Sequence, residues 1–327
     1  MTCSISSREN WLRFLGGKSP QWMPIFSETK SILPSIVPDN VARGLVIEAQ
    51  PVPESAFGGP DMYGTPWIYE PLAGGSMEDP DIPPILTDIE DWPQVIRFPD
   101  IDSWDWEGAA LRNRDFLVPD RLRTTIVFTG LFERLISFMG FESAAMALVD
   151  EDYAPELHAL LDKMADINIH LIGNYKKYFD IDLVYFHDDW GAQRAPFFSL
   201  DTCMRMLVPH LKKIVDYCHS NGIYFDLHSC GHNDILVPAM IAAGADAWCG
   251  QPMCDKFALW EKYGDKIAIG MSFNAGSTEE LYQQIDNMVD KIRLGVPEKR
   301  MYVRDRSLAK ELTLNDYVIE KTQKLYK

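Results

Sequence analysis

Cationic side chains are in short supply in this chain. Its 327 residues carry 31 Lys and Arg against 48 Asp and Glu, a formal net charge of -17. A surface of that sign repels phosphate, which excludes a general nucleic-acid binder and weighs against polyanionic substrates unless a local basic pocket overrides the total. Long apolar runs are missing as well. None approaches the ~20 residues needed to cross a bilayer, so no membrane partner is expected. The opening MTCSISSREN has no apolar centre of the signal-peptide kind. Cysteine is sparse and scattered, at Cys3, Cys203, Cys218, Cys230, Cys249 and Cys254. No disulfide framework is visible in that spacing, and the expected location is cytoplasmic. No G-x-G-x-x-G follows an early strand, which removes the dinucleotide fingerprint.

What is present is a large potential core, 46% hydrophobic with 24% charged residues. SSRENWLRFLGG predicts a helix capped by Ser6 or Ser7 and ended by Gly16-Gly17. WMPIF, Trp22 to Phe26, is a candidate first strand. Residues 50–100 then form a Pro/Gly/Asp-rich excursion, too rich in aromatics (Phe57, Tyr63, Trp67, Tyr69, Trp92) to be disordered. Length and order of this kind fit a lid or pocket wall. From Thr124 strands and helices alternate: TTIVFT, a helix through LFERLISFMG, a long amphipathic helix Tyr153 to Phe179, IDLVYFHDD, a helix Leu200 to Ser220, IYFDLHS, a helix Asn233 to Ala243, KIAIGMSF, a helix opening at Ser277-Thr278, MYVRDR and a closing helix Leu308 to Lys327. Such alternation predicts parallel βαβ units. The expected fold is α/β, one (β/α)8 barrel domain over residues 1–327 with 50–100 as a lid-like insertion, because polar residues gather at the carboxyl ends of separate strands.

The chemistry concentrates in IYFDLHSCGHND, Ile223 to Asp234. Tyr224, Asp226, His228 and Cys230 share one strand face, the other being Ile223, Phe225, Leu227 and Ser229. A buried strand is ordinarily apolar on both faces, so a polar ladder marks a site. His228 and Cys230 are ligands that zinc accepts; a satisfied core histidine beside an inert thiol is the competing reading. The second group is FHDDWGAQ. Tyr185, His187 and Asp189 share a face, with Asp188 pointing the other way if the strand continues. His187, Asp188 and Asp189 are candidates for acid–base work, or the carboxylates complete a metal site; helix capping or a solvated turn is the plain alternative. Trp190 and Gln193 either line a pocket or pack. Weaker candidates for substrate binding are Glu133 and Arg134 after TTIVFTG, Asn274 in SFNAGS, and the cations Arg304 and Arg306 on the last strand, each of which equally fits a cap or a surface ion pair. Cys249 and Cys254 read as buried thiols, His158 and His170 as structural, and His232 as a neighbour of the site.

SRENWLRFLGG, DIEDWPQVIRFPDID, GLFERLISFMGF, HDDWGAQRAPFFS and above all LHSCGHNDILVPAMIAAGAD together resemble the uroporphyrinogen decarboxylase superfamily over nearly the whole chain. The resemblance implies a (β/α)8 barrel and two branches of activity. The decarboxylase branch carries an arginine-rich motif near its N-terminus for substrate carboxylates; here the corresponding SETKSILPSIVP has no arginine. The branch of corrinoid-dependent methyltransferases holds zinc with a His-x-Cys pair, matched by His228 and Cys230, and a later cysteine that MYVRDRSLAKEL lacks. Either an acid such as Asp188 or Asp189 then replaces it, or the metal is absent. The expected function is methyl transfer from a small methylated, chiefly methoxylated, compound to a corrinoid carried by a partner protein, an O-demethylation; the alternative is a decarboxylase of tetrapyrrole metabolism. A homodimer is compatible with the family.

Overall fold

The computed structural model describes residues 4–72, 74–273, 276–294, 298–304 and 312–326. Among them seven strands form one parallel sheet: β1 (Lys30–Ser31), β5 (Arg123–Val127), β6 (Leu183–His187), β7 (Tyr224–Ser229), β8 (Ala247–Gly250), β9 (Ala268–Met271) and β10 (Met301–Val303), in that spatial order. The intervening β2 (Gly59–Pro60), β3 (Pro66–Glu70) and β4 (Gly75–Glu78) make a separate antiparallel sheet within the Pro/Gly-rich excursion. Spatial order equals chain order in the large sheet, as consecutive right-handed βαβ units require. The sheet curls until β10 reaches the segment just ahead of β1: Ile25 bridges Val303 in parallel, and Val303 N–H donates to the Pro24 carbonyl at 2.8 Å. The expected strand Trp22–Phe26 is reduced to that one bridge. Pro24 has no N–H for a ladder, and Phe26–Glu28 turn away in a 3-10 helix.

Curling divides the interior in two. Outside the sheet the long helix Ala154–Phe179 lays Leu157, Leu160, Leu161, Met164 and Leu171 against the strands in the main core. Inside it, Trp11, Phe14, Tyr185, Cys249 and Tyr302 fill the lumen with a smaller one. The first helix, Ser7–Leu15, is capped by Ser6, whose hydroxyl accepts the Glu9 N–H. Ser277 and Glu280 form a reciprocal capping box on Thr278–Leu294. The helix expected over Leu200–Ser220 splits at Leu207 into Leu200–Met206 and Val208–Ser220. Pro209 explains the break, because it cannot donate to the Arg205 carbonyl. Of the expected closing helix, Leu312–Thr322 is observed, and its expected start at Leu308 lies outside the described residues.

A buried ion cluster pins the excursion to the sheet. Arg134, on the helix Leu131–Met139, pairs with Asp39 on one side and with Asp61 of the excursion on the other. Asp61 also accepts N–H bonds from Tyr63 and Thr65, each 2.9 Å, and from the Trp67 indole at 3.1 Å. Among the described residues no helix is long and apolar enough to cross a membrane.

Candidate active site

The ends of β6 and β7 carry the chemistry. Their register sets His187 opposite His228, and both side chains lie on the lumen face. The imidazoles therefore meet, 4.8 Å between centroids and tilted by 33°. Two residues further on, Asp189 and Cys230 leave their strands together: Cys230 N–H donates to Asp189 Oδ1 at 2.6 Å. Gly231 then turns the chain at φ 93°, and a Cβ there would strike the Gly191 backbone. One ligand atom from each of His187, Asp189, His228 and Cys230 falls within 4.8 Å of all the others.

The hydrogen bonds behind the two histidines differ. His228 Nδ1–H donates to the Cys249 carbonyl at 2.6 Å, an acceptor that fixes the tautomer and leaves Nε2 its lone pair. The Cys230 thiol lies 3.4 Å from that Nε2. Burial, then the nearby His187 and Arg304, pull the His228 pKa down to about 3. His187 Nδ1–H instead donates to the Glu133 carboxylate at 2.7 Å, with Nε2 3.7 Å from Asp189. Burial pulls this imidazole down too, but the charge and hydrogen bond of Glu133, followed by Asp189, outweigh it and raise its pKa. Burial raises the Asp189 carboxyl and the Cys230 thiol. Two equal-looking residues are thus pushed apart, one toward the neutral base and one toward the cation.

The adjacent carboxylates also separate. Asp189 joins the cluster; Asp188 points to the other side of β6 and is 1% exposed. Its oxygens accept the N–H groups of Leu131, Phe132 and Glu133 and the Trp190 indole, at 2.9–3.2 Å. Asp188 is thus the N-terminal cap of the helix that carries Glu133 and Arg134. Burial, then the charge of Glu133, push its pKa to about 7 against the pull of those donors. Trp190 is fully buried on Asp188 and packs instead of facing the cluster, and Gln193 is exposed on the following loop. Asn274 and Arg306 lie outside the described residues.

Sequence reasoning missed Arg43. Its guanidinium sits 4.5 Å from the Trp67 ring and 5.9 Å from Phe128, and it reaches Glu133 at 3.6 Å. Arg43 so joins the excursion to the back of His187. No local signal marks it, since its partners are 24 to 90 residues away in the chain. Cys249 and Cys254 are buried thiols, Cys254 near the Gly231 carbonyl at 3.4 Å. His158 pairs with His210 and His170 with Asp102, away from the cluster, while His232 is 3.5 Å from Asp234.

No family model matches the chain, and no curated protein matches it. Among solved structures it resembles a methyltransferase from Methanosarcina mazei, with 14% identity, a TM-score of 0.64, and coverage of 99% of this chain and 100% of that one. At that identity the likeness is one of fold, and it agrees with a TIM-like curled parallel sheet. A sugar phosphate isomerase/epimerase from Parabacteroides distasonis (12% identity, 70% of this chain and 77% of that one, TM-score 0.34) overlaps too loosely to carry an argument. The same holds for a dihydropteroate synthase from Xanthomonas albilineans (11% identity, 47% and 54%, TM-score 0.29).

Proposed function

We propose that this chain is a methyltransferase of the corrinoid-dependent branch of the uroporphyrinogen decarboxylase superfamily, built on a (β/α)8 barrel. It would move a methyl group from a small methylated compound, foremost a methoxylated one, to a corrinoid on a partner protein. The carrying observation is the meeting of two imidazoles, a thiol and a carboxylate at the carboxyl ends of adjacent strands, where barrel enzymes place their sites. Full-length likeness in fold to a protein named a methyltransferase supports the same reading.

The donor set fits zinc: nitrogen, sulfur and oxygen ligands, with a hydrogen-bond acceptor behind each histidine, Glu133 for His187 and the Cys249 carbonyl for His228. A catalytic zinc site uses three protein ligands and keeps one position open. His228, Cys230 and Asp189 are assigned as those three. When bound, zinc supplies a Lewis acid that stabilises charge on the heteroatom losing its methyl group, and the corrinoid supplies the attacking metal. His187 is assigned the proton: the Glu133 carboxylate stabilises its imidazolium, which holds a proton at Nε2 for the departing oxygen. Arg43 holds Glu133, and Asp188 holds the helix on which Glu133 stands. The excursion over residues 50–100 acts as the lid-like wall that excludes water, brought to the site by Trp67 on Arg43.

Elemental analysis of purified protein checks the metal: about one zinc per chain is expected, lost in His228→Ala and kept in His187→Ala. Methyl transfer from methoxylated donors to cob(I)alamin, followed by absorbance, checks the reaction; His187→Ala should abolish it. Zinc-loaded protein that transfers methyl from no donor would overturn the assignment.

A further inference from the structure

The lumen below the cluster holds a cation whose hydrogen-bonding edge is unused. Arg304 follows β10, and its side chain crosses the lumen. Its Cζ lies 3.6 Å from the ring centroids of both Phe26 and Tyr185, two rings 6.1 Å apart and tilted by 55°. Tyr185 in turn stacks on His228 at 5.5 Å, and His228 meets His187. Arg304 is thus the far end of a column that leads to the proposed metal ligands. Nη1 is sealed from solvent without a hydrogen-bond partner among the described residues, although the residue as a whole is partly exposed. Asp226, in the same interior, takes the Tyr302 hydroxyl at 2.7 Å on one oxygen, while its other oxygen is also unpartnered. The two charges therefore do not satisfy each other directly.

A buried N–H without an acceptor costs free energy and calls for an explanation. A cation–π wedge fixes the position of the guanidinium but uses none of its five donors. An arginine fork matches a carboxylate in two parallel hydrogen bonds. A single guanidinium balances one negative charge, and Glu133, Asp189 and Asp226 already make this mouth acidic, so a monoanion is favoured over a phosphate dianion.

We infer that Arg304 binds a carboxylate of the methyl donor, so that the substrate class is a methylated carboxylic acid. The word donor rests on the transferase reading above; the carboxylate site itself does not.

Isothermal titration with 4-methoxybenzoate, benzoate and acetate, each against its neutral amide, and with phenyl phosphate, tests it. At least one acid should bind the wild type about tenfold or more tightly than its amide. Arg304→Gln should bring that ratio to about one, with zinc content unchanged as evidence of an intact site. Should Arg304→Gln fail to fold, Arg304→Lys carries the test, since a point-charge ammonium cannot reproduce the fork and the ratio should fall about threefold or more. Equal binding of every acid and its amide by the wild type, a ratio that survives removal of the guanidinium, or tighter binding of phenyl phosphate than of any carboxylate would each overturn the inference. A wild type that prefers the acid yet transfers no methyl group sinks the transferase reading and leaves the carboxylate site standing. Transfer from neutral donors without any acid preference does the reverse.

Discussion

Two polar clusters share the helix Leu131–Met139, a buried one through Arg134 and a half-buried one through Glu133, and they differ in what is left over. Around Arg134 the guanidinium and both carboxylates are taken up, and only the Thr65 hydroxyl is left without a partner among the described residues. Its guanidinium meets Asp39 and Asp61, its face covers Tyr63 at 4.6 Å, and the carboxylates take the remaining N–H groups of Met62, Tyr63, Thr65 and Trp67. At the mouth, the atoms that point toward one another meet only loosely: Cys230 to His228 at 3.4 Å and His187 to Asp189 at 3.7 Å, while the outer atoms of the same histidines are tightly bonded. A saturated network fixes a structure. A network whose outer bonds are short, and whose His228 Nε2, Cys230 Sγ and His187 Nε2 meet their neighbours only at 3.4–3.7 Å, keeps valence for a ligand even though Asp189 Oδ1 already takes the Cys230 N–H. Polarity alone does not separate the two cases; residual hydrogen-bonding capacity does.

The sharpest way to break this comparison is Arg134→Met. It strands two buried carboxylates and should cost about 3–5 kcal/mol, read as a lower urea midpoint, with zinc per folded chain unchanged. A loss of zinc with intact stability would show that the Arg134 cluster serves the site and not the fold. Next in size is the pair of neighbouring carboxylates. Asp188→Asn turns an amide N–H2 toward backbone donors and should cost roughly 1–3 kcal/mol while zinc remains. Asp189→Asn should do the opposite, sparing stability and losing metal. If the two variants behave alike, the separation of Asp188 from the cluster has no functional content.

That separation is where sequence reasoning reached its limit. The same-face rule on a strand put His228 with Cys230 and His187 with Asp189, and it put Asp188 on the other side. All of this needs only the period of two. Which partner waits on the other side is a tertiary matter. Asp188 caps Leu131–Met139 because the loop after β5 lies beside the end of β6, a neighbour relation that no local pattern states. The Arg134 cluster was illegible for the same reason, its members being 73 and 95 residues apart. The alternation of strands and helices was readable along most of the chain. The first strand was not, because WMPIF has the composition of a strand while Pro24 withholds the donor that a ladder needs. The Arg304 column escaped because Phe26, Tyr185 and Arg304 come together only when the sheet curls.

The finest test concerns the asymmetry between the histidines, in protein freed of metal by a chelator. His187 has a folded pKa above its ordinary value, because Glu133 outweighs burial. A group raised in the folded state adds stability that is fully present below its unfolded pKa, about 6.5, and that drains as pH rises through the folded one. Each pKa unit of elevation is worth about 1.4 kcal/mol. Glu133→Gln removes the carboxylate that holds the proton, so His187 should titrate lower and this share of the pH slope should vanish. His219, raised by its hydrogen bond to Asp246, contributes a slope of the same sign, but it is common to both proteins and cancels in their difference. The difference in unfolding free energy between wild type and Glu133→Gln should therefore shrink as pH rises from about 6 to 8. The His187 ring signals in NMR should follow the same titration. A difference that stays flat with pH would mean that Glu133 only positions the imidazole and leaves its charge alone, and the proton would then have to be assigned elsewhere in the cluster.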